Sequence, residues 1–128
     1  MEIADRKETL MVRHADLAGS SFEGVSMAGA AFRDAAMRET SFANVNLSDA
    51  SFAQMNLSRS RFEDGVLPGC CFTNANMAGA KFDNVNLTGG QISNADLNGL
   101  SISDCRFGTM RIDGILVADL LAAWRKVS

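Results

Sequence analysis

The side chains that could carry covalent or acid–base chemistry are few in this chain and poorly spaced for it. His14 is its one histidine, and it stands near the beginning, ahead of the regular region that fills the rest. Nucleophilic catalysis of the Ser-His or Cys-His kind needs a base within hydrogen-bonding reach of the nucleophile, and that region has no histidine to supply one. Cys70, Cys71 and Cys105 form an odd set with no C-x-x-C pair, so neither a disulfide framework nor a metal site is predicted. Reduced thiols and a cytoplasmic protein are the expectation. Cys71 has no basic sequence neighbour to lower its pKa, and the glycines form no phosphate-binding or dinucleotide fingerprint. No catalytic residue, cofactor-binding residue or metal ligand is predicted, and therefore no enzyme and no cofactor.

Charge excludes a second class. Twelve basic against fifteen acidic residues leave a net −3, the wrong sign for direct, non-specific nucleic-acid binding. No run approaches the ~18 apolar residues of a membrane span. The opening Met1-Glu2-Ile3-Ala4-Asp5-Arg6-Lys7-Glu8 mixes both signs of charge and does not read as a signal peptide.

The elements that must position whatever this protein uses are set by a repeat. From Leu17 every fifth residue is large and apolar: Phe22, Met27, Phe32, Met37, Phe42, Leu47 and so on to Ile112. All 20 of these positions hold Leu, Phe, Met or Ile, types that fill only 31 of the 128 positions in the chain. Chance placement does not produce such a column. Two residues earlier the side chain is usually small, as at Ala15, Ser20, Val25 and Ala30. The residue just before the centre is commonly polar, as at Asp16, Asn46, Asn56, Asn76, Asn86 and Asp96. Two residues after it stands Gly, Asn or Asp in 16 of the 20 units, the types that turn or adopt left-handed backbone at least cost.

A period of five suits neither a helix nor a flat strand. It suits a square coil whose every side is one five-residue unit, with the large and small residues both pointing inwards. Four sides make a 20-residue coil, and residues 15–114 make five, about 24 Å tall at the strand spacing.

Ala15-Asp16-Leu17, Val45-Asn46-Leu47, Ala75-Asn76-Met77, Val85-Asn86-Leu87 and Ala95-Asp96-Leu97 resemble the A-(D/N)-L-x-x unit of the pentapeptide-repeat family. The resemblance implies an all-β fold, a right-handed quadrilateral β-helix of about five coils. Centres 20 residues apart then stack: Phe22, Phe42, Phe62, Phe82 and Ile102 on one side, and Phe32, Phe52, Phe72, Ile92 and Ile112 opposite. The two remaining sides stack Leu and Met, closing on Phe107. Leu100 and Met110 in the small column offset the change from Phe to Ile at 102 and 112. Cys70 and Cys105 fall in that inward column as inert thiols, while Cys71 points outwards.

Residues 1–14 read as an N-terminal cap, with Leu10 to His14 as a degraded extra unit centred on Val12. Residues 115–128 read as a short C-terminal capping helix whose apolar face is Val117, Leu120, Leu121 and Trp124. Two roles stay open for that face, a lid on the last coil or a homodimer contact.

The surface charge is uneven. Glu23, Glu63, Asp64, Asp83 and Asp104 face outwards on the Phe22 side, opposed by Arg61 and Lys81, and form a candidate acidic binding face. The Met27 side is nearly uncharged. A non-catalytic protein-interaction or scaffold module with an unknown protein partner is the expected function. The resemblance implies an alternative, a DNA mimic that occupies the DNA-binding groove of a type II topoisomerase and inhibits or protects DNA gyrase. Arg33, Arg38, Arg59, Arg61 and Lys81 interrupt the acidic surface that such a mimic needs.

Overall fold

Every second large residue lies at the middle of a short strand, and strands 20 residues apart lie side by side. The computed structural model describes residues 11–13 and 16–127. One sheet is built from β1 (Met11–Arg13), β3 (Ala31–Arg33), β5 (Ser51–Asn56), β7 (Cys71–Asn76), β9 (Gln91–Ser93) and β11 (Arg111–Ile112), all parallel, with β12 (Ile115–Leu116) added antiparallel. The other contains β2 (Ser21–Glu23), β4 (Ser41–Ala43), β6 (Arg61–Glu63), β8 (Lys81–Asp83) and β10 (Ser101–Ser103) in parallel. The registers pair Phe22 with Phe42, Phe42 with Phe62, Phe62 with Phe82 and Phe82 with Ile102. The chain is a parallel β-solenoid of five stacked coils, followed by helix α1 (Val117–Val127). Below Phe32, β1 places Val12, which is buried. Residues 1–10, 14 and 15, with His14 and the remainder of the expected N-terminal cap, lie outside the described residues.

The two Phe columns make a ladder of rings. Phe42, Phe62 and Phe82 stack at 4.6 Å between successive centroids, and Phe32, Phe52 and Phe72 at 4.7 and 4.8 Å. The ladders meet edge to face across the interior, with Phe52 and Phe62 at 6.3 Å and 90°. Both geometries suit the quadrupole of an aromatic ring. All of these rings are fully buried.

Corner chemistry decides which sides become sheets. Every fifth residue from Gly19 to Asp104 has positive φ. After each aliphatic centre the turn closes with a hydrogen bond: the Ser20 N–H donates to the Leu17 carbonyl at 3.0 Å, and Ala50 to Leu47 at 3.0 Å. With the third residue left-handed, this is the type II pattern. The polar residue before the centre accepts from the residue after it, as Asn46 Oδ1 does from the Ser48 N–H at 3.0 Å and Asn86 Oδ1 from Thr88 at 3.0 Å. These closed turns leave the aliphatic sides mostly single bridging residues, such as Ser26 to Asn46 and Asn46 to Val66. The Phe sides keep strands of mostly three residues, and β5 and β7 run on round the corner to Asn56 and Asn76.

Three left-handed corners hold residues with no special tolerance for that region: Glu39, Gln54 and Arg59, at φ 58°, 55° and 56°. The fourth exception in the sequence, Thr109, is not left-handed. Gly108 takes that conformation one residue earlier, at φ 50°, which spares a β-branched residue a costly backbone.

Packing weakens toward the C-terminal end. Leu97, Leu100, Ile102, Cys105, Phe107 and Ile112 are only partly buried, although Met110 is fully covered. Gly90 has no room for a side chain, since a Cβ would lie 3.0 Å from the Leu87 carbonyl oxygen and 3.3 Å from that of Cys70. Asp113 and Gly114, at φ 48° and 80°, form a two-residue hairpin turn that folds β12 back onto β11. The Phe32-side sheet is thereby closed with an antiparallel strand where the sequence suggested a helix from 115. The second sheet ends on β10.

Phe62→Ala removes a ring held from four directions and should cost about 3–5 kcal/mol, read as a lower urea midpoint. Ile112→Ala, at the half-buried end, should cost less than half as much. Gln54→Gly should stabilise by about 0.5–1 kcal/mol, the left-handed strain relieved less the greater chain entropy of glycine.

Candidate interaction surfaces

The Phe22 side presents two outward columns and one corner column. Glu23, Ala43, Glu63, Asp83 and Ser103 follow one another in register, so three of the five sequence-predicted acids share a column interrupted by alanine and serine. Asp64 and Asp104 stand at the adjoining left-handed corner, where the Asn84 amide donates to Asp64 Oδ1 at 2.9 Å. The other outward column is Ser21, Ser41, Arg61, Lys81 and Ser101. The acids thus share one side of the rod, alongside a basic pair on the same strands. Glu63 is half-buried and the other four are exposed.

The predicted C-terminal residues are less uniform. Val117 is 7 % exposed, and its N–H donates to the Met110 carbonyl at 3.0 Å. Leu120 and Leu121 are 41 % and 37 % exposed, and the side chain of Trp124 lies outside the described residues. A lid would bury this face, but among its described side chains Val117 is seated while Leu120 and Leu121 are not. The coil beneath keeps a half-exposed interior, and Ile115, which sequence reading passed over, is 50 % exposed.

The cysteines separate by position. Cys70 is fully buried, and burial, reinforced by the neighbouring Cys71, pushes its thiol well above the ordinary range. Cys71 points outwards and is half-buried, its Sγ 3.7 Å from the Gly69 carbonyl oxygen. Cys105 departs from the inert core thiol anticipated for it. It is partly exposed because no further coil covers it, and desolvation raises its pKa.

One ion pair was legible only through the 20-residue coil. Arg59 Nη2 lies 3.0 Å from Glu39 Oε1, stacked corner on corner. Both side chains are largely solvated, so the pair adds little stability. Among the described residues no three metal-ligating side chains converge, and no helix is long and apolar enough to cross a membrane.

Comparison with known proteins agrees with this architecture. The pentapeptide repeat region family matches residues 15–89 and again 41–116, and the chain belongs to that family. Its fold is similar to that of Rfr23, a pentapeptide repeat protein from the cyanobacterium Cyanothece 51142, with a TM-score of 0.73 at 12 % identity over 84 % of each chain. It is also similar to a pentapeptide repeat protein from the Arabidopsis thaliana thylakoid lumen. That TM-score is 0.63 at 24 % identity, over 91 % of this chain and 79 % of the other. No curated protein matches the sequence.

In the folded protein a thiol reagent should modify Cys71 first, Cys105 more slowly, and Cys70 only on unfolding, as read by mass mapping. A thiol pKa raised by folding means the unfolded chain loses its proton first. Stability should therefore fall as pH rises from about 8 to about 10, through the ordinary thiol range. Cys70→Ala should flatten that decline.

Proposed function

We infer that this chain is a non-catalytic protein-binding rod that pairs with a second copy through its C-terminal end. The observation that carries this reading is the unfinished apolar surface there. Half-exposed Leu97, Ile102 and Phe107 lie in the last coil, and Ile115, Leu120 and Leu121 are exposed beyond it. A contiguous stretch of exposed apolar surface marks a site of protein contact. The regular outward columns are held by stacked rings and corner hydrogen bonds, so a partner can be bound with little ordering cost. Members of the pentapeptide repeat family are in general structural or interaction modules, which agrees. The three thiols are unpaired, which fits a reducing compartment such as the cytoplasm.

A second reading, a DNA-mimicking inhibitor or protector of DNA gyrase, draws on one observation. Glu23, Glu63 and Asp83 fall in a single column, with Asp64 and Asp104 beside them. Arg61 and Lys81 on the same strands work against it.

At about 500 mM NaCl, where surface charge is screened, sedimentation should show a dimer at tens of micromolar that becomes monomeric with Leu120→Glu plus Leu121→Glu, with unchanged circular dichroism. A wild-type monomer under those conditions would exclude the end contact. In a gyrase supercoiling assay the DNA-mimic reading requires inhibition or protection that weakens with salt and is lost with Glu63→Lys plus Asp83→Lys. No effect removes that reading and leaves the protein-binding rod.

A further inference from the structure

The Phe22 side holds an arrangement of charge that the acidic column alone does not reveal. Arg61 stacks directly on Lys81, and Glu63 directly on Asp83, at the parallel strand spacing. Like charges in such register repel. Within each strand the opposite charges are two residues apart on one face, with their Cα atoms about 7 Å apart. None of these four side chains makes an ion pair with any described residue. Arg61, Lys81 and Asp83 are exposed, and Glu63 is half-buried. The rungs on either side carry only short side chains, Ser41 with Ala43 and Ser101 with Ser103. Two coils therefore present a basic column and an acidic column side by side, with short side chains on the rungs directly above and below and Glu23 one rung further out.

This patch is complementary to itself in one orientation. A twofold axis parallel to the rod, lying in the plane of contact, exchanges the two columns and leaves height along the rod unchanged. Arg61 then meets Glu63 of the second copy, Lys81 meets its Asp83, and the symmetry repeats both pairs. A twofold axis along the strands would oppose basic to basic and acidic to acidic. We propose that the Phe22 side is a self-docking surface on which two copies of this chain associate side by side, with their rods pointing the same way. The contact differs in place and chemistry from the apolar end contact and does not rest on it. A face about 24 Å tall and about 10 Å wide is well below the ~800 Å² per partner of a standard interface, so the association is weak and electrostatic.

The test is sedimentation of the full chain at about 50 and about 500 mM NaCl, with two charge variants. Glu63→Lys plus Asp83→Lys makes the patch all basic, and Arg61→Glu plus Lys81→Glu makes it all acidic. Circular dichroism checks that each is folded. The wild type should show an association step about tenfold weaker at the higher salt. Each variant alone should lose that step, and an equimolar mixture should regain it. Leu120→Glu plus Leu121→Glu should leave it in place, which separates it from the end contact. No salt-sensitive step in the wild type up to millimolar concentration overturns the proposal. So does a mixture that associates no better than its components. Spin labels at Ser21→Cys, with the native cysteines replaced, read the orientation: a short distance between labels supports the parallel arrangement, and one near the full rod length overturns it.

Discussion

A left-handed residue at every fifth position turns the chain through one corner of its coil, and four such corners bring it back above its own start after 20 residues. The sheets, ring ladders and charge columns follow from that closure, because each side chain then has its counterpart 20 residues away directly above it. The constraint is strict enough that Glu39, Gln54 and Arg59 accept left-handed backbone at a cost of roughly 1–2 kcal/mol each. Where Thr109 would have borne that cost, Gly108 bears the conformation one residue earlier.

Closure also divides labour among the four sides. On two of them Phe fills the interior, and the backbone stays extended enough to form continuous sheets. On the other two, Leu and Met sit before hydrogen-bonded turns, and Asn or Asp ahead of the centre accepts an N–H that the turn would otherwise leave open, as Asn76 does from Ala78. Aromatic stacking and turn closure thus act on alternate sides of the same coil, and the rod combines a rigid interior with capped corners.

The ends interrupt this economy. A coil is completed by the one above it, and the last coil has none, so Cys105 and Phe107 keep solvent access that their counterparts lower in the stack lack. The hairpin of β11 and β12 closes one sheet, and α1 seats Val117 while Leu120 and Leu121 stay exposed. On the sides, in-register stacking turns sequence charge into columns, and like charges such as Glu63 and Asp83 lie closer together than chain separation suggests.

The repeat by itself determined the period, the inward residues, the stacking partners and the family, because a core that must close every 20 residues leaves its pattern in each unit. The outward direction of Glu23, Glu63, Asp83 and Cys71 was legible for the same reason. Which sides form sheets is marked in the sequence only indirectly: Asn or Asp precedes Leu and Met centres alone, as at Asp16, Asn46 and Asn86, and the mark acquires its meaning once the turn after each such centre closes with a hydrogen bond. Nor did it show that Leu120 and Leu121 stay exposed, because an amphipathic face specifies burial without specifying what buries it. That Arg61, Lys81, Glu63 and Asp83 make no ion pair with any described residue was decided by the tertiary structure. Electrostatic energy depends on distance in space, and only the closed coil brings residues 20 apart to a single strand spacing.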